Sequence, residues 1–338
     1  MSFTWSRKKI LITGINGFVG GNIAKSLIEL GAEVFGLIRT SKYNTFLYYE
    51  NLDKNISLIH GDICDFNLLN RVISEEGINI IFHLAAQVEV GVALNNPYIT
   101  YETNVRGTYT LLESVRLHTS SVQALVVASS DKSYGEYPRE KMPYKEDYPL
   151  TPKFAYDTSK ACADMIAQSY TSGVHGLPIV VTRFANIYGP GQLNFSALIP
   201  DGIRSALGYS RFIPRGDGSM MRDFLYIDDV VELYLIIAEY LSIDSDILSG
   251  QVFNAGTNSP KTVKNVLKEI FSITGKPDDF HKILKLMKKN RTVGEIDCQF
   301  MDYEKVNAHF GWKPKESFND GILKTIEWYK RYLKDWNF

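Results

Sequence analysis

The sequence predicts an α/β fold built on a doubly wound parallel sheet, and three observations support this. Short apolar runs rich in β-branched residues alternate with helix-like segments from residue 8 to about residue 183. The first run leads into a glycine-rich turn and then a helical pattern, and another apolar run returns near residue 252. We therefore expect strands at 10–13, 34–38, 56–60, 78–83, 125–129, 179–183 and 252–256.

A smaller α/β lobe is expected beside this sheet. After Arg183 the alternation weakens, and Gly, Pro and aromatic residues cluster at 187–192 and 213–218. An apolar helical pattern returns at 224–240, before the last predicted strand. The smaller lobe is therefore discontinuous. We expect a first lobe of residues 1–185 plus 224–256 and a second of residues 186–223 plus 257–338.

Composition excludes several classes of protein. The 338 residues are 45% hydrophobic, and 37 Lys and Arg balance 38 Asp and Glu, so no net charge attracts nucleic acid or anionic membranes. No apolar stretch approaches the ~20 residues of a membrane helix, and the first residues lack a signal peptide's apolar core, so a cytoplasmic protein is expected. Cys64, Cys162 and Cys298 have neither metal-ligand nor disulfide spacing, and we expect no metal site.

The glycine-rich turn lies between the first strand and the first helix and reads Gly14-Ile-Asn-Gly17-Phe-Val-Gly20. Such a turn brings backbone close to a pyrophosphate and aims a helix N-terminus at it. The first lobe is therefore predicted to be a Rossmann-type dinucleotide-binding domain. The residues of the turn expected to contact the cofactor are Gly14, Asn16, Gly17, Phe18, Val19 and Gly20.

Arg39 ends the second strand, where a carboxylate would bind the ribose 2′-hydroxyl of NAD. An arginine favours the 2′-phosphate of NADP, and NAD remains the alternative. Asp62 follows the third strand and either accepts a hydrogen bond from the adenine amino group or caps a helix. The remaining residues expected around the cofactor are Ile63, Leu84, Ala85 and Ala86.

The candidate catalytic residues follow a buried strand and begin a helix. Ser130, Asp131 and Lys132 come directly after the strand at 125–129, where open α/β sheets present their chemistry. Tyr156 and Lys160 are one helical turn apart. The lysine ammonium is expected to lower the tyrosine pKa, so that Tyr156 can act as a base toward a substrate hydroxyl, with Ser130 bonded to the same oxygen.

The glycine turn, Ser130, Tyr156 and Lys160 resemble the extended short-chain dehydrogenase/reductase family over nearly the entire chain. Within it, Ser129-Ser-Asp-Lys-Ser-Tyr-Gly135 is similar to the strand-end motif of nucleotide-sugar 4,6-dehydratases. The resemblance implies oxidation of C4, elimination of water across C5 and C6, and return of the hydride to C6. It also implies a tightly bound cofactor that is regenerated in each turnover.

The resemblance assigns roles by position. Ser130 and Tyr156 would handle the C4 hydroxyl, and Lys160 would also orient the nicotinamide ribose. Asp131 would protonate the departing C6 hydroxyl, and Lys132 would remove the C5 proton. Many family members have Glu at this last position; the Lys variant is similar to CDP-glucose dehydratases and to enzymes of N-acetylated sugar nucleotides. A lysine base must be neutral, which desolvation and a nearby Lys160 are expected to favour.

On the substrate side, the resemblance implies that Asn186 and Arg222 bind the diphosphate and that Arg291 and Glu295 bind a phosphate and the nucleoside ribose. Gln87 is expected beside the sugar. The segment Arg291-Thr-Val-Gly-Glu295 is similar to GDP-sugar enzymes, whereas Asp131-Lys132 is similar to CDP-glucose enzymes, so GDP is favoured and CDP stays open.

Two alternatives remain at this point. If Asp131 and Lys132 only pair with each other, the protein would be a nucleotide-sugar 4-epimerase or a C4 dehydrogenase. A protein that only senses NAD(P) is a more remote alternative. The resemblance also implies a homodimer through helices near 97–118 and 155–172, and a place in deoxysugar or polysaccharide precursor synthesis.

Overall fold

A computed structural model describes residues 3–287 and 295–333. At its centre is a parallel sheet with the strand order β10-β6-β5-β4-β1-β2-β3. The strands are β1 (Lys9–Thr13), β2 (Glu33–Ile38), β3 (Ile56–His60), β4 (Ile80–His83), β5 (Ala124–Ala128), β6 (Ile179–Phe184), β7 (Asn186–Tyr188), β8 (Met221–Arg222), β9 (Phe224–Tyr226), β10 (Val252–Ala255), β11 (Lys261–Thr262) and β12 (Cys298–Gln299). Every strand predicted from the sequence is present in this sheet, so the predicted fold class is confirmed.

Helices cover both faces of the sheet. They are α1 (Phe18–Glu29), α2 (Phe46–Tyr49), α3 (Phe66–Glu76), α4 (Val90–Asn95), α5 (Pro97–Tyr101), α6 (Gly107–Arg116), α7 (Ala155–Ser169), α8 (Leu198–Ala206), α9 (Ile227–Ile243), α10 (Ser245–Leu248), α11 (Val263–Ile273), α12 (Pro277–Leu286), α13 (Glu304–Phe310) and α14 (Phe318–Tyr332). On one face α1 packs against α9, and on the other α6 packs against α3 and α7.

Alternate residues of β1 show why both faces are apolar. Ile10 and Ile12 belong to the core cluster that contains the buried residues of α9, whereas Leu11 belongs to the cluster that contains those of α3 and α6. A strand buried on both sides has no polar face, and this is typical of parallel sheets. Both faces of the sheet are therefore covered by helices. Polar groups can face a ligand at the edge formed by the carboxyl ends of the strands.

The order of the strands reverses at β1: β2 and β3 lie on one side of it, and β4, which is parallel to β1, lies on the other with β5 and β6 beyond it. In open α/β sheets a ligand binds outside the carboxyl ends of the strands at such a switch point. The last paired residues there are Thr13 of β1 and His83 of β4. This position is where the glycine-rich turn begins.

Two small sheets lie beside the main one. β8 pairs antiparallel with β11 and parallel with β12, and β7 pairs parallel with β9. Helix α11 packs against α8, α12 and α14. These elements come from residues 186–226 and 261–333, on either side of α9 and β10 in the sequence.

A π-helical segment, Glu102–Arg106, joins α5 to α6 and makes residues 97–116 one continuous helical stretch. This stretch agrees with the long helix expected near 97–118. Within the part of the chain that the structure describes, no helix is long and apolar enough to cross a membrane.

A buried ion pair connects α7 to the sheet. Arg183 of β6 donates from Nε to Asp164 Oδ2 at 2.7 Å and from a terminal nitrogen to Oδ1 at 3.0 Å, and the two side chains are only 4% and 0% exposed. Arg183 also donates to the Tyr134 hydroxyl at 2.9 Å, which in turn donates to Asn254 Oδ1 at 2.8 Å. The network thus links β6, α7, β10 and the turn after β5.

We expect Asp164→Asn to destabilise the fold by about 3–5 kcal/mol, because it leaves the Arg183 guanidinium buried without a counter-charge. Urea denaturation followed by circular dichroism measures this change in the free energy of unfolding. Lys282→Ala, which removes an exposed ion pair with Asp279 on α12, is the matched control and should leave the midpoint almost unchanged. Equal midpoints for the two variants would contradict this role of the ion pair.

Candidate active site

The glycine-rich turn is shaped for close backbone approach. Gly14 has φ +76°, and a Cβ there would lie 2.8 Å from the Ala85 nitrogen; a Cβ on Gly20 would lie 2.5 Å from the Gly14 carbonyl oxygen. The Gly17 amide donates to the Gly14 carbonyl at 2.9 Å, and α1 begins at Phe18 without a side-chain cap. The first amides of α1 can therefore bind an anion, and this cradle fits the pyrophosphate of a dinucleotide.

The other residues predicted around the cofactor surround this turn. Asn16 donates to the Thr40 carbonyl at 3.3 Å and ties the turn to the segment after β2, where Arg39 is exposed. The Leu84 and Ala85 amides each lie 3.2 Å from Thr13 Oγ1. Phe18, Val19 and Ala86 are partly buried, and Ile63 is buried.

Asp62 does not cap the helix that follows it. Its Oδ1 accepts from the Cys64 amide at 2.9 Å, whereas Asp65 caps α3 by accepting from the Leu68 amide at 3.0 Å. Asp62 is exposed at the carboxyl end of β3. The adenine role proposed for it stays a prediction, and the capping alternative is wrong.

The polar residues after β5 form a short 3₁₀ turn, Asp131–Tyr134, which Ser130 caps by accepting from the Lys132 amide at 3.2 Å. Helix α7 packs against this turn and brings Tyr156 and Lys160 to the same place. Ser130 lies within reach of the Tyr156 phenol, and Lys160 donates to the carbonyl of Ala128, the last residue of β5. The five predicted catalytic residues therefore gather at one end of β5.

Tyr156 differs from the expectation in one respect. Burial raises the pKa of its phenol above the usual value, the nearby carboxylates of Asp131 and Asp157 add to this rise, and the Ser130 hydrogen bond opposes it. The expected lowering of the Tyr156 pKa by Lys160 is wrong for this structure, because the Lys160 ammonium is bonded to the backbone of β5.

Lys160 is itself perturbed. Burial lowers the pKa of its ammonium to about 8, and Asp164 opposes the shift. His83 lies below it at the end of β4, between Thr13 Oγ1 at 2.8 Å and Thr108 Oγ1 at 2.9 Å. Burial, and then the Lys160 charge, lower the His83 pKa to about 3, so this histidine is neutral and structural.

Asp131 has the properties of a proton donor. It is 5% exposed, and burial raises its pKa, although Lys132, Ser130 and Arg222 act in the opposite direction. The Ser130 hydroxyl lies 3.1 Å from Asp131 Oδ1. A carboxyl group held partly in its neutral form can donate a proton to a leaving group.

Lys132 carries an amine that faces the site without a hydrogen bond. Its Nζ is buried, makes no hydrogen bond to the described residues, and lies 3.8 Å from Glu295 Oε2. Arg222 donates to the same Glu295 oxygen at 2.9 Å. Lys132 and Arg222 therefore share the Glu295 carboxylate. The positive charge expected beside Lys132 comes from Arg222 and not from Lys160.

Two buried polar residues were missed by the sequence reasoning. Asp157 is 2% exposed, and burial raises its pKa to about 6, with Lys132 opposing the rise. Its position directly after Tyr156 was the available signal. Asn104, in the π-helical segment, donates to Ser159 Oγ at 2.8 Å and to the Gln87 carbonyl at 3.0 Å. Nothing in the sequence pattern distinguishes it from an ordinary helical asparagine.

The predicted substrate residues are only partly brought together. Glu295 and Arg222 lie together beside Lys132, whereas Asn186 donates to the Asp223 carbonyl at 3.1 Å at the start of β7. Gln87 follows β4 and accepts from Thr100 at 3.0 Å. Arg291 lies outside the described residues. Over residues 3–287 and 295–333 there is no group of three or more His, Cys, Asp or Glu side chains arranged to hold a metal ion.

The chain is similar to several proteins that are named as nucleotide-sugar dehydratases and to one that is named as an epimerase. It is 30% identical, over 98% of its length, to the trifunctional UDP-glucose 4,6-dehydratase/UDP-4-keto-6-deoxy-D-glucose 3,5-epimerase/UDP-4-keto-L-rhamnose-reductase of Arabidopsis thaliana, and it spans about half (49%) of that protein. The dTDP-glucose 4,6-dehydratase of Bacillus anthracis, solved in complex with NAD, superposes with a TM-score of 0.83 at 30% identity, covering 97% of this chain and 98% of that one.

A UDP-glucose 4-epimerase of Thermotoga maritima, solved with UDP-glucose, superposes with a TM-score of 0.84 at 28% identity, covering 96% of this chain and all of that one. Dehydratase and epimerase therefore share the fold, and the fold cannot separate their activities. The model of the GDP-mannose 4,6 dehydratase family matches residues 11–325, nearly the whole chain. By this match, the chain belongs to the GDP-mannose 4,6 dehydratase family.

Proposed function

We propose that this protein is a nucleotide-sugar 4,6-dehydratase that converts an NDP-hexose to its 4-keto-6-deoxy derivative. The observation that carries the proposal is the pair that follows Ser130: a buried carboxyl with a raised pKa, Asp131, and a buried amine without a hydrogen bond to the described residues, Lys132. Oxidation at C4 alone needs neither group. Elimination of water needs an acid for the leaving hydroxyl and a base for the C5 proton.

The first step takes place at Tyr156 and Ser130. Tyr156, as phenolate, accepts the C4 hydroxyl proton, and the Ser130 hydroxyl holds the same oxygen in place. A nicotinamide cofactor held at the Gly14–Gly20 turn would supply the hydride acceptor for C4 and the hydride donor for C6. Lys160 stabilises the phenolate by its positive charge once it is released from the Ala128 carbonyl.

The second step is the elimination. The ketone at C4 makes the C5 proton acidic, and the Lys132 amine removes it. Asp131 gives its proton to the C6 hydroxyl, which leaves as water. Because Glu295 pairs with Arg222 at 2.9 Å and with Lys132 only at 3.8 Å, the lysine is restrained without being tied into a close ion pair.

The substrate is proposed to lie between the carboxyl end of β5 and the small sheet that carries Arg222. Residues 1–185 plus 224–256 would then form the dinucleotide-binding domain and residues 186–223 plus 257–338 the sugar-nucleotide lobe. Arg222 would neutralise the diphosphate when the substrate competes with Glu295 for its guanidinium. We propose that Asn186 also binds the diphosphate and that Gln87 lies beside the sugar. A phosphate and the nucleoside ribose would be bound by Arg291 and Glu295.

A GDP- or CDP-linked hexose, with an N-acetylated sugar among the candidates, is our proposal for the substrate. The family model carries the name of GDP-mannose, while the Arabidopsis and Bacillus relatives carry the names of UDP- and dTDP-glucose. The test incubates purified protein with GDP-, CDP-, UDP- and dTDP-hexoses, including N-acetylated ones, and follows the product mass without added cofactor. Loss of one water from a GDP- or CDP-hexose supports this substrate, loss from a UDP- or dTDP-hexose alone overturns it, and loss from none overturns the dehydratase proposal.

The specific rival is a 4-epimerase, because the Thermotoga epimerase has the same fold. An epimerase would change the configuration at C4 without changing the mass. Asp131 and Lys132 would then be structural. We also propose a cytoplasmic location and a role in deoxysugar or polysaccharide precursor synthesis.

Asp131→Asn separates the two activities. Because the amide cannot donate the proton needed by the leaving hydroxyl, we expect water loss to fall by about 10²–10⁴-fold while oxidation of C4 continues. Rapid-quench mass spectrometry should detect a 4-keto sugar that retains its C6 hydroxyl. Water loss at the wild-type rate would contradict the role of Asp131.

For the cofactor we propose NAD, with NADP as the alternative suggested by Arg39. Arg39 is exposed, and the Bacillus dehydratase structure contains NAD. Calorimetry on cofactor-depleted protein is expected to give tighter binding of NAD than of NADP. Arg39→Ala should weaken NADP binding by about tenfold or more, the loss of one charge-assisted contact, and leave NAD binding unchanged. Tighter binding of NADP by the wild-type protein would overturn the choice.

We also propose a homodimer formed through residues 97–116 and α7. Exposed apolar side chains lie on these helices, among them Tyr98 at 69% and Met165 at 54% exposure. Light scattering is expected to give twice the 38.3 kDa chain mass, and Tyr98→Glu with Met165→Glu should shift it toward the monomer. Ile213→Glu, at an exposed apolar residue elsewhere, is the control. A monomeric wild-type protein would contradict the proposal.

A further inference from the structure

The proposed reaction leaves one proton misplaced at the end of each turnover. The C4 hydroxyl proton has moved to Tyr156, and the Asp131 proton has left with water. The C5 proton moves to Lys132 and back to C5, while the hydride moves from C4 through the cofactor to C6. Tyr156 therefore ends with one proton too many and Asp131 with one too few. A second turnover requires that both be reset.

The structure places one group between these two. The Ser130 hydroxyl lies 3.1 Å from Asp131 Oδ1 on one side and within reach of the Tyr156 phenol on the other, where helix α7 packs against the turn at 131–134. A hydroxyl has one proton and two acceptor lone pairs, so it can accept from the phenol while it donates to the carboxylate. The backbone amide of Lys132, 3.2 Å from Ser130 Oγ, fixes the position of this oxygen.

We infer that Ser130 is a proton bridge that returns the C4 hydroxyl proton from Tyr156 to Asp131 in every turnover. The inference rests on the dehydratase function proposed above. In the transfer, the phenol O–H bond breaks as a bond to Ser130 Oγ forms, and the Ser130 O–H bond breaks as a bond to Asp131 Oδ1 forms. Tyr156 becomes phenolate and Asp131 a neutral carboxyl. The transfer needs no proton from solvent and involves no oxidation or reduction.

Burial makes an internal route favourable. Asp131 is 5% exposed, so water has poor access to its carboxyl group, particularly when a sugar nucleotide covers the site. Burial raises the pKa of both Asp131 and Tyr156, so it does not by itself set the direction of the transfer. The positive charge that an oxidised nicotinamide held by the Gly14–Gly20 turn would bring to the site would favour the phenolate, and with it transfer toward Asp131.

The test compares the first turnover with later ones in Ser130→Ala. Its substrate is the panel hexose that loses water with the wild-type enzyme. In the variant, the first turnover uses the proton already on Asp131, whereas later turnovers wait for a proton from outside. We expect the ratio of the single-turnover to the steady-state rate constant to rise on the order of tenfold above the wild-type ratio. Added imidazole or acetate buffer should return this ratio toward the wild-type value.

Two variants serve as controls. Ser130→Thr keeps a hydroxyl in the bridge and should keep the wild-type ratio. Ser129→Ala removes the neighbouring hydroxyl, which is bonded to Ser133 at 3.0 Å, and should also keep it. A positioning role of Ser130 alone would slow the first and later turnovers equally, and an unchanged ratio in Ser130→Ala would overturn the bridge.

A second measurement uses only the wild-type enzyme and so does not depend on the folding of the variant. With an internal bridge, the steady-state rate at constant pH and ionic strength should not depend on the concentration of imidazole or acetate. Acceleration by buffer would overturn the inference. If no sugar nucleotide in the panel loses water, the proposed function itself fails, which is a different result from a buffer-dependent dehydratase.

Discussion

The buried pair between Arg183 and Asp164 is the interaction on which the rest of the site depends. Arg183 lies on β6 and Asp164 on α7, one turn after Lys160, so the pair fixes the helix that carries Tyr156 and Lys160 against the sheet. Through the Tyr134 hydroxyl, the same guanidinium fixes the turn that carries Asp131 and Lys132. One desolvated charge pair thus fixes the position of Tyr156 relative to Asp131 and Lys132. Desolvation of the two charges opposes the formation of a buried ion pair. We infer that the contribution of this pair is to hold α7, β6 and the turn after β5 in a fixed arrangement.

Burial also decides the chemistry that these groups can perform. Burial raises the pKa of Asp131, which favours its neutral carboxyl form. It also lowers the pKa of Lys160 to about 8 and keeps His83 neutral. Lys132 has acidic neighbours: Glu295 Oε2 lies 3.8 Å from its Nζ, and the Lys132 charge opposes the rise in the pKa of Asp157 and Asp131. In the proposed reaction, Asp131 is the acid and Lys132 the base of the elimination.

The fold could be predicted from the sequence because parallel strands buried on both faces are continuous apolar runs, and the glycine turn marks the first crossover unambiguously. The gathering of Ser130, Asp131, Lys132, Tyr156 and Lys160 could also be predicted, since strand ends and the first turn of α7 meet at one edge. The electrostatics could not. Whether Lys160 lies against a phenol or against the Ala128 carbonyl depends on a rotamer, and whether Lys132 faces Lys160 or Glu295 depends on how a distant segment folds back. Asp157 was missed because its pKa is raised by burial, and burial cannot be read from the sequence.

In the proposed reaction, hydrogen moves from C4 to C6 of the same sugar while water leaves, and a nicotinamide cofactor held at the Gly14–Gly20 turn would supply the hydride chemistry. The most direct measurement supplies the active sugar nucleotide with deuterium at C4, adds no cofactor, and locates the label in the product by NMR. We predict that the deuterium is found at C6 of a 4-keto-6-deoxy sugar. Deuterium that stays at C4 with inverted configuration, or that appears in free cofactor, would contradict it and favour an epimerase or a dehydrogenase.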